Sequence, residues 1–280
     1  MLRGQRLSDK LCLEMLNVVR DSLKYLDLSY NPSLTYTSYE YIADILDDYN
    51  RVELRTLLLE GNNCGDRALK GLCKMLESND QLSFLNISQN NICDVGAEHI
   101  AMMLRFNIKI SVLFMRWNKI TSKGGVLLCH ALRNNNVLQI WDASFNSFGS
   151  AGAAHALSLS LSSHSLLQSS ASAPQLPNLK ASAAATGTTA PPSSGLASLG
   201  SPLQGLFGKE RGGGSDATGI GLAMHEMFES NKTLVHVDFT QNSLRRHVCQ
   251  LIAEGLQKNH TILGIHMLGN DVDIDPRGFL

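Results

Sequence analysis

The chain has 280 residues, of which 44% are hydrophobic and 18% charged, with a formal net charge of −1. That length supports a sizeable buried core. The near-neutral charge argues against a nucleic-acid partner, which calls for a basic stripe, and no apolar run is long enough to span a membrane.

The opening residues 1–10 lack the apolar stretch of a secretory signal. Six cysteines are scattered without a C-x-x-C pair, which favours a reducing, intracellular setting. In that setting the N-x-S/T matches at Asn86, Asn231 and Asn259 read as chance.

The segment from Leu2 to Asp9 aligns with Leu59 to Asp66, so the chain starts inside a repeat. The apolar spacing predicts a helix over 9–20, with Leu11, Cys12, Met15, Leu16 and Val19 on its inner face. A strand and turn from Leu23 to Asn31 follow. Pro32 then breaks the pattern, and the next helix turns Tyr39, Ile42, Ala43 and Leu46 inward.

The next copies are regular. Leu54, Leu57, Leu59 and Asn62 recur as Leu82, Leu85, Ile87 and Asn90, then as Ile110, Leu113, Met115 and Asn118, and more loosely from Leu138 to Asn146. Their first positions, 54, 82, 110 and 138, are 28 residues apart. Each repeat also predicts a helix whose inward residues match: Leu72, Cys73 and Leu76, then Ile100, Ala101 and Leu104, then Leu128, Cys129 and Leu132. A fixed period of this length is the signature of a solenoid.

From 158 to 215 the pattern dissolves into Ser, Ala, Gly, Pro and Leu, with five of the seven prolines. Such a composition buries too little apolar surface to offset the entropy of ordering it, and predicts disorder. Leu138 and Leu234 are 96 positions apart, one period and 68 residues more. Residues 216–231, with Met224 and Phe228, are the better candidate for the missing helix of repeat five. Repeats resume over 216–280, through Leu234 to Leu244 and a last strand from Ile262 to Asn270. The expected organisation is therefore repeats over 1–157, an insertion over 158–215, and repeats over 216–280.

The pattern L-x-x-L-x-L-x-x-N-x-L resembles the leucine-rich repeat family, and a 28-residue unit with a helix is similar to its ribonuclease-inhibitor type. The resemblance covers nearly the whole chain outside 158–215. It implies an α/β solenoid, with a curved parallel sheet on the concave face and helices on the convex face. It also implies that the strand-end asparagines stack as a ladder of amides bonded to turn backbone. Solenoids need capped ends, and neither end shows a cap. Three explanations stand open: association through the ends, a missing segment, or a piece of a longer protein.

No catalytic, cofactor or metal site is expected. There is no phosphate-binding Gly-rich loop, no H-E-x-x-H and no nucleophile elbow. The cysteines read as small core residues, and His236 and His266 as solvated surface groups. The functional expectation falls on outward strand positions, where burial does not require an apolar side chain. There the sequence places Leu58, Phe114 and Asp142, then Glu60 and Arg116, and in the turns Trp117 and Phe145. Exposed aromatics beside an arginine are what binding hot spots use. The expectation is a non-catalytic interaction or scaffold module for a protein partner, in the cytoplasm or on the cytoskeleton or cilium. Two rivals are a Ran-type GTPase activator and the sensing arm of a larger innate-immune receptor.

Overall fold

A computed structural model describes residues 2–19, 21, 23–47, 53–150 and 216–272. The residues of the predicted insertion, 158–215, lie outside the described residues. The residues around them, Met1–His155 and Gly214–Leu280, form one compact unit.

Strand and helix alternate through the described residues. The elements are α1 (Asp9–Val19), β1 (Tyr25–Asp27), α2 (Tyr36–Asp47), β2 (Thr56–Leu58), α3 (Gly65–Leu76), β3 (Phe84–Asn86) and α4 (Asp94–Phe106). They continue with β4 (Val112–Phe114), α5 (Ser122–Asn134), β5 (Ile140–Asp142), α6 (Asp216–Ser230), β6 (His236–Asp238), α7 (Arg246–Leu256) and β7 (Gly264–His266). The seven strands pair in sequence order, and every pair is parallel. A helix is roughly 10 Å wide whereas paired strands sit about 4.8 Å apart, so a one-to-one stack must curve with the sheet inside.

Register follows the repeat. Leu26, Leu57, Leu85, Leu113, Trp141, Val237 and Ile265 lie side by side and point toward the helices. All but Ile265 are buried. Trp141 fits a leucine's place because Phe148 and Phe239 pack around it and its indole N–H donates to Met115 Sδ at 3.2 Å. The predicted inner faces of α2 to α5 are buried as read. On α1 the reading fails for Leu11 and Val19, which are 44% and 42% exposed. Among the described residues α1 has a helix neighbour on one side only, α2, so its faces are less covered than those of the helices flanked on both sides.

The asparagine ladder is present. Asn31, Asn62 and Asn90 each donate their backbone N–H to the side-chain oxygen of the next ladder asparagine, at 2.8, 3.1 and 3.0 Å. A second ladder runs along the helix exits. Asn79, Asn107, Asn135, Asn231 and Asn259 each donate Nδ2 to a carbonyl of the preceding repeat, at 2.6–3.0 Å. Both ladders satisfy turn backbone that the curved stack removes from water.

A third brace joins helix starts. Asp94 accepts from Thr121 N, Thr121 Oγ1 and Gly124 N at 2.8, 2.6 and 3.1 Å. This takes up orphan donors at the start of α5 and puts a negative charge at its positive end. Gly124 leaves the room, since a Cβ there would lie 2.7 Å from Asp94 Oδ1 and 2.6 Å from Ile120 Cγ2.

The array crosses the 96-residue step without a fault in register. Ile140 pairs with His236, Phe148 N donates to Asn242 Oδ1 at 3.3 Å, and Asn231 Nδ2 donates to Leu132 O at 2.7 Å. Helix α6 stands between α5 and α7, with Ile220, Met224 and Phe228 buried.

Candidate functional site

Three-residue strands send the middle side chain inward and leave the first and third facing the concave side. The first-position column reads Tyr25, Thr56, Phe84, Val112, Ile140, His236 and Gly264. The third-position column reads Asp27, Leu58, Asn86, Phe114, Asp142, Asp238 and His266. Five apolar residues therefore meet in the centre: Leu58, Phe84, Val112, Phe114 and Ile140, all half-buried. Phe84 meets Phe114 edge-on, ring centroids 5.1 Å apart.

The sequence reading placed Leu58 and Phe114 here but missed Phe84, Val112 and Ile140. The signal was present, since each directly precedes a residue of the core column.

Beyond each strand one turn residue takes a left-handed conformation. It is Tyr30, Gly61, Gln89, Trp117, Phe145, Gln241 or Gly269, with φ between 53° and 77°. Its own N–H donates along the sheet to the following repeat, and the positive φ turns the next N–H toward the asparagine ladder, as Asn90 N donates to Asn118 Oδ1 at 3.0 Å. Trp117 N reaches Ser144 O at 3.0 Å, and Phe145 N reaches Thr240 O at 2.7 Å. Glycine serves this position freely, whereas a bulky residue pays about 1–2 kcal/mol for it. Trp117 and Phe145 sit there regardless, stacked with centroids 4.1 Å apart and planes 7° from parallel. Trp117 is 53% exposed.

Glu60 is buried, at 5% exposure, and gathers four donors. Tyr30 Oη donates to it at 3.0 Å, and Asn86 Nδ2, Gln89 Nε2 and Arg116 Nη2 each at 3.3 Å. The Arg116 pair spans two repeats, with the arginine side chain 43% exposed. Burial, and then the Glu60 carboxylate, push the Tyr30 phenol above its ordinary range.

Three expectations need correction. Leu58, Phe114 and Phe145 are half-buried rather than exposed, because neighbouring strands lie close enough for outward side chains to cover one another. The ring partners of Phe114 and Trp117 are Phe84 and Phe145. Glu60 is not a free surface acid. Asp142 builds its turn, accepting from Ser144 N at 3.0 Å and Ser144 Oγ at 2.6 Å. Asn86 and Asp238 act alike, toward Ser88 N at 3.0 Å and Thr240 N at 2.8 Å.

His236 and His266 do meet, with ring centroids 4.8 Å apart. Among the described residues no group of three or more His, Cys, Asp or Glu side chains is placed to hold a metal. Cys12, Cys73, Cys129 and Cys249 are buried. Burial pushes all four thiols up, Cys249 to about 11, the direction away from an activated thiolate. No helix among the described residues is long and apolar enough to cross a membrane.

No protein-family model matches the sequence, and no curated relative matches it either. Among solved structures the chain is similar to the actin-binding site 2 of leiomodin-1, with 17% identity and a TM-score of 0.42, over 77% of this chain and 88% of that one. It is also similar to the tropomodulin C-terminal domain of Caenorhabditis elegans, with 9% identity and a TM-score of 0.42, over 90% of this chain and 93% of that one. Neither likeness carries an argument about what this chain binds.

Proposed function

We propose that the chain is a non-catalytic protein-interaction module, a leucine-rich-repeat solenoid of the ribonuclease-inhibitor type that receives a protein partner across its concave sheet. In this reading the repeats before 158 and after 215 form one array, and 158–215 is an insertion in repeat five. The supporting observation is the apolar band on both outward strand columns, continued by the exposed Trp117 stacked on Phe145. Folding does not ask for apolar side chains at these positions. The same columns carry Thr56, Asn86, His236 and Asp238 elsewhere, and glycine fills the turn position twice. Aromatic groups beside Arg116 in a concavity have the composition of interface centres.

The test is a photo-crosslinking residue placed at Val112, on the concave side, or at the exposed Lys70 on α3, in the cell of origin. The expected result is a discrete protein adduct from position 112 and none from position 70. Adducts from position 70 alone would move the interface to the convex helices.

A further inference from the structure

Charge divides unevenly around the apolar band. Toward the first strands most charges are paired: Glu53 with Lys24 at 3.3 Å and with Arg55 at 3.9 Å, and Glu60 with Arg116 at 3.3 Å, while the single acid of the third column there, Asp27, is buried and accepts from Ser29 N at 3.0 Å. Toward the last strands they are not. Asp142 and Asp238 are direct neighbours in register, on adjacent parallel strands. Each spends Oδ1 on its own turn and leaves Oδ2 without a hydrogen bond or ion pair among the described residues. His236 and His266 pack against each other and form no ion pair with either acid. Like charges on in-register residues of strands about 4.8 Å apart repel, and among the described residues no cation pairs with either acid. The pair adjoins the band directly, because Phe114 is in register with Asp142 and Ile140 lies on the same strand.

We propose that the concave face takes an extended protein segment that lays apolar side chains over Phe114 and Ile140 and sets an arginine on Asp142 and Asp238. This rests on the reading of the concave face as a docking surface and adds the chemistry of the occupant. Charge complementarity fixes that chemistry, since the unpaired charge bordering the band is negative and doubled. A guanidinium suits it better than an ammonium. Its planar fork serves two carboxylates at once, and it keeps favourable contact with aromatic faces such as Phe145. An acidic or wholly apolar segment would leave the two carboxylates facing like charge or buried without a partner.

The experiment selects random displayed peptides on the full chain, then measures the enriched peptides on variants. Asp142→Asn/Asp238→Asn keeps the fold, because Asn86 already makes the same turn. The expected peptides pair an arginine with aromatic or aliphatic residues. The double variant weakens them about tenfold or more, and citrulline in place of the peptide's arginine does the same on the wild type. On the double variant citrulline then has less than about a threefold effect, the coupling a direct contact requires. Peptides that lose binding on Phe114→Ser yet lack a cation, or ignore the double variant, would overturn the arginine assignment and leave the docking face standing. Enriched peptides indifferent to Phe114→Ser, or no enrichment at all, would contradict the docking face as well.

Discussion

Trp117 holds a backbone conformation that Gly61 and Gly269 hold at equivalent turns. The substitution Trp117→Gly relieves about 1–2 kcal/mol of left-handed strain. It gives up a ring stack worth about 0.5–1.5 kcal/mol and adds chain entropy of about 0.5–1 kcal/mol to the unfolded state. Folding stability should stay within about 1 kcal/mol of wild type in urea unfolding, summing these opposed effects. A loss of several kcal/mol would make Trp117 a folding residue and remove it from the interface. Glu60 and Arg116 separate in the same way. Glu60 is buried under four donors while Arg116 is half in water, so Glu60→Ala should cost about 1–3 kcal/mol and Arg116→Ala less than about 1 kcal/mol. Equal costs would show that the pair, and not the hub, carries the stability. Little of this was legible in the sequence. A left-handed tryptophan has no signature of its own, and the burial of Glu60 depends on Asn86, Gln89 and Arg116, which reach it from two later repeats.

At the scale of elements, the ladders and braces set the register of each strand and helix. Asn90 uses its whole amide, accepting from Asn62 N and Cys64 N and donating to Leu59 O and Ser88 O. Asn62 accepts from Asn31 N, but its Nδ2 is buried without a hydrogen bond. Asn90→Ala should therefore cost roughly 2–4 kcal/mol and Asn62→Ala about 1 kcal/mol, measured by chemical denaturation. The reverse order would show that the ladder does not act through these bonds. Glycines inside helices make a second contrast. Gly71 in α3 has open space where a Cβ would go, so Gly71→Ala should gain about 0.5–1 kcal/mol from helix propensity. Gly124→Ala should lose about 1–3 kcal/mol, because the same methyl meets Asp94 and Ile120. Inner faces of helices were readable wherever helices flank both sides, and misread at Leu11 and Val19 where only one does. The first ladder followed from the family pattern. The brace from Asp94 to the next helix was not seen, because a repeating Asp at a helix start also reads as simple dipole matching.

At the scale of the whole molecule, the strict period made the sheet, its strand order and its register readable before any coordinates. Even the step from Leu138 to Leu234 was readable, because it equals one period plus an excess, and β5 does pair with β6. The concave face was read in part. The third strand position stands out because it lies between two core residues, whereas the first merges with the apolar run before the core residue and hides Phe84, Val112 and Ile140, which share a band with Leu58 and Phe114. The energetic division is between a core that the repeat enforces and an outer band that it leaves free. That freedom makes the apolar choice informative. It leads to a measurement in the native cell: proximity labelling by the wild-type chain and by Phe114→Ala/Trp117→Gly, after unfolding curves show the two equally folded. The account predicts a small set of proteins labelled by the wild type and lost from the variant. An unchanged set would contradict it, and would place the interface on the convex helices instead.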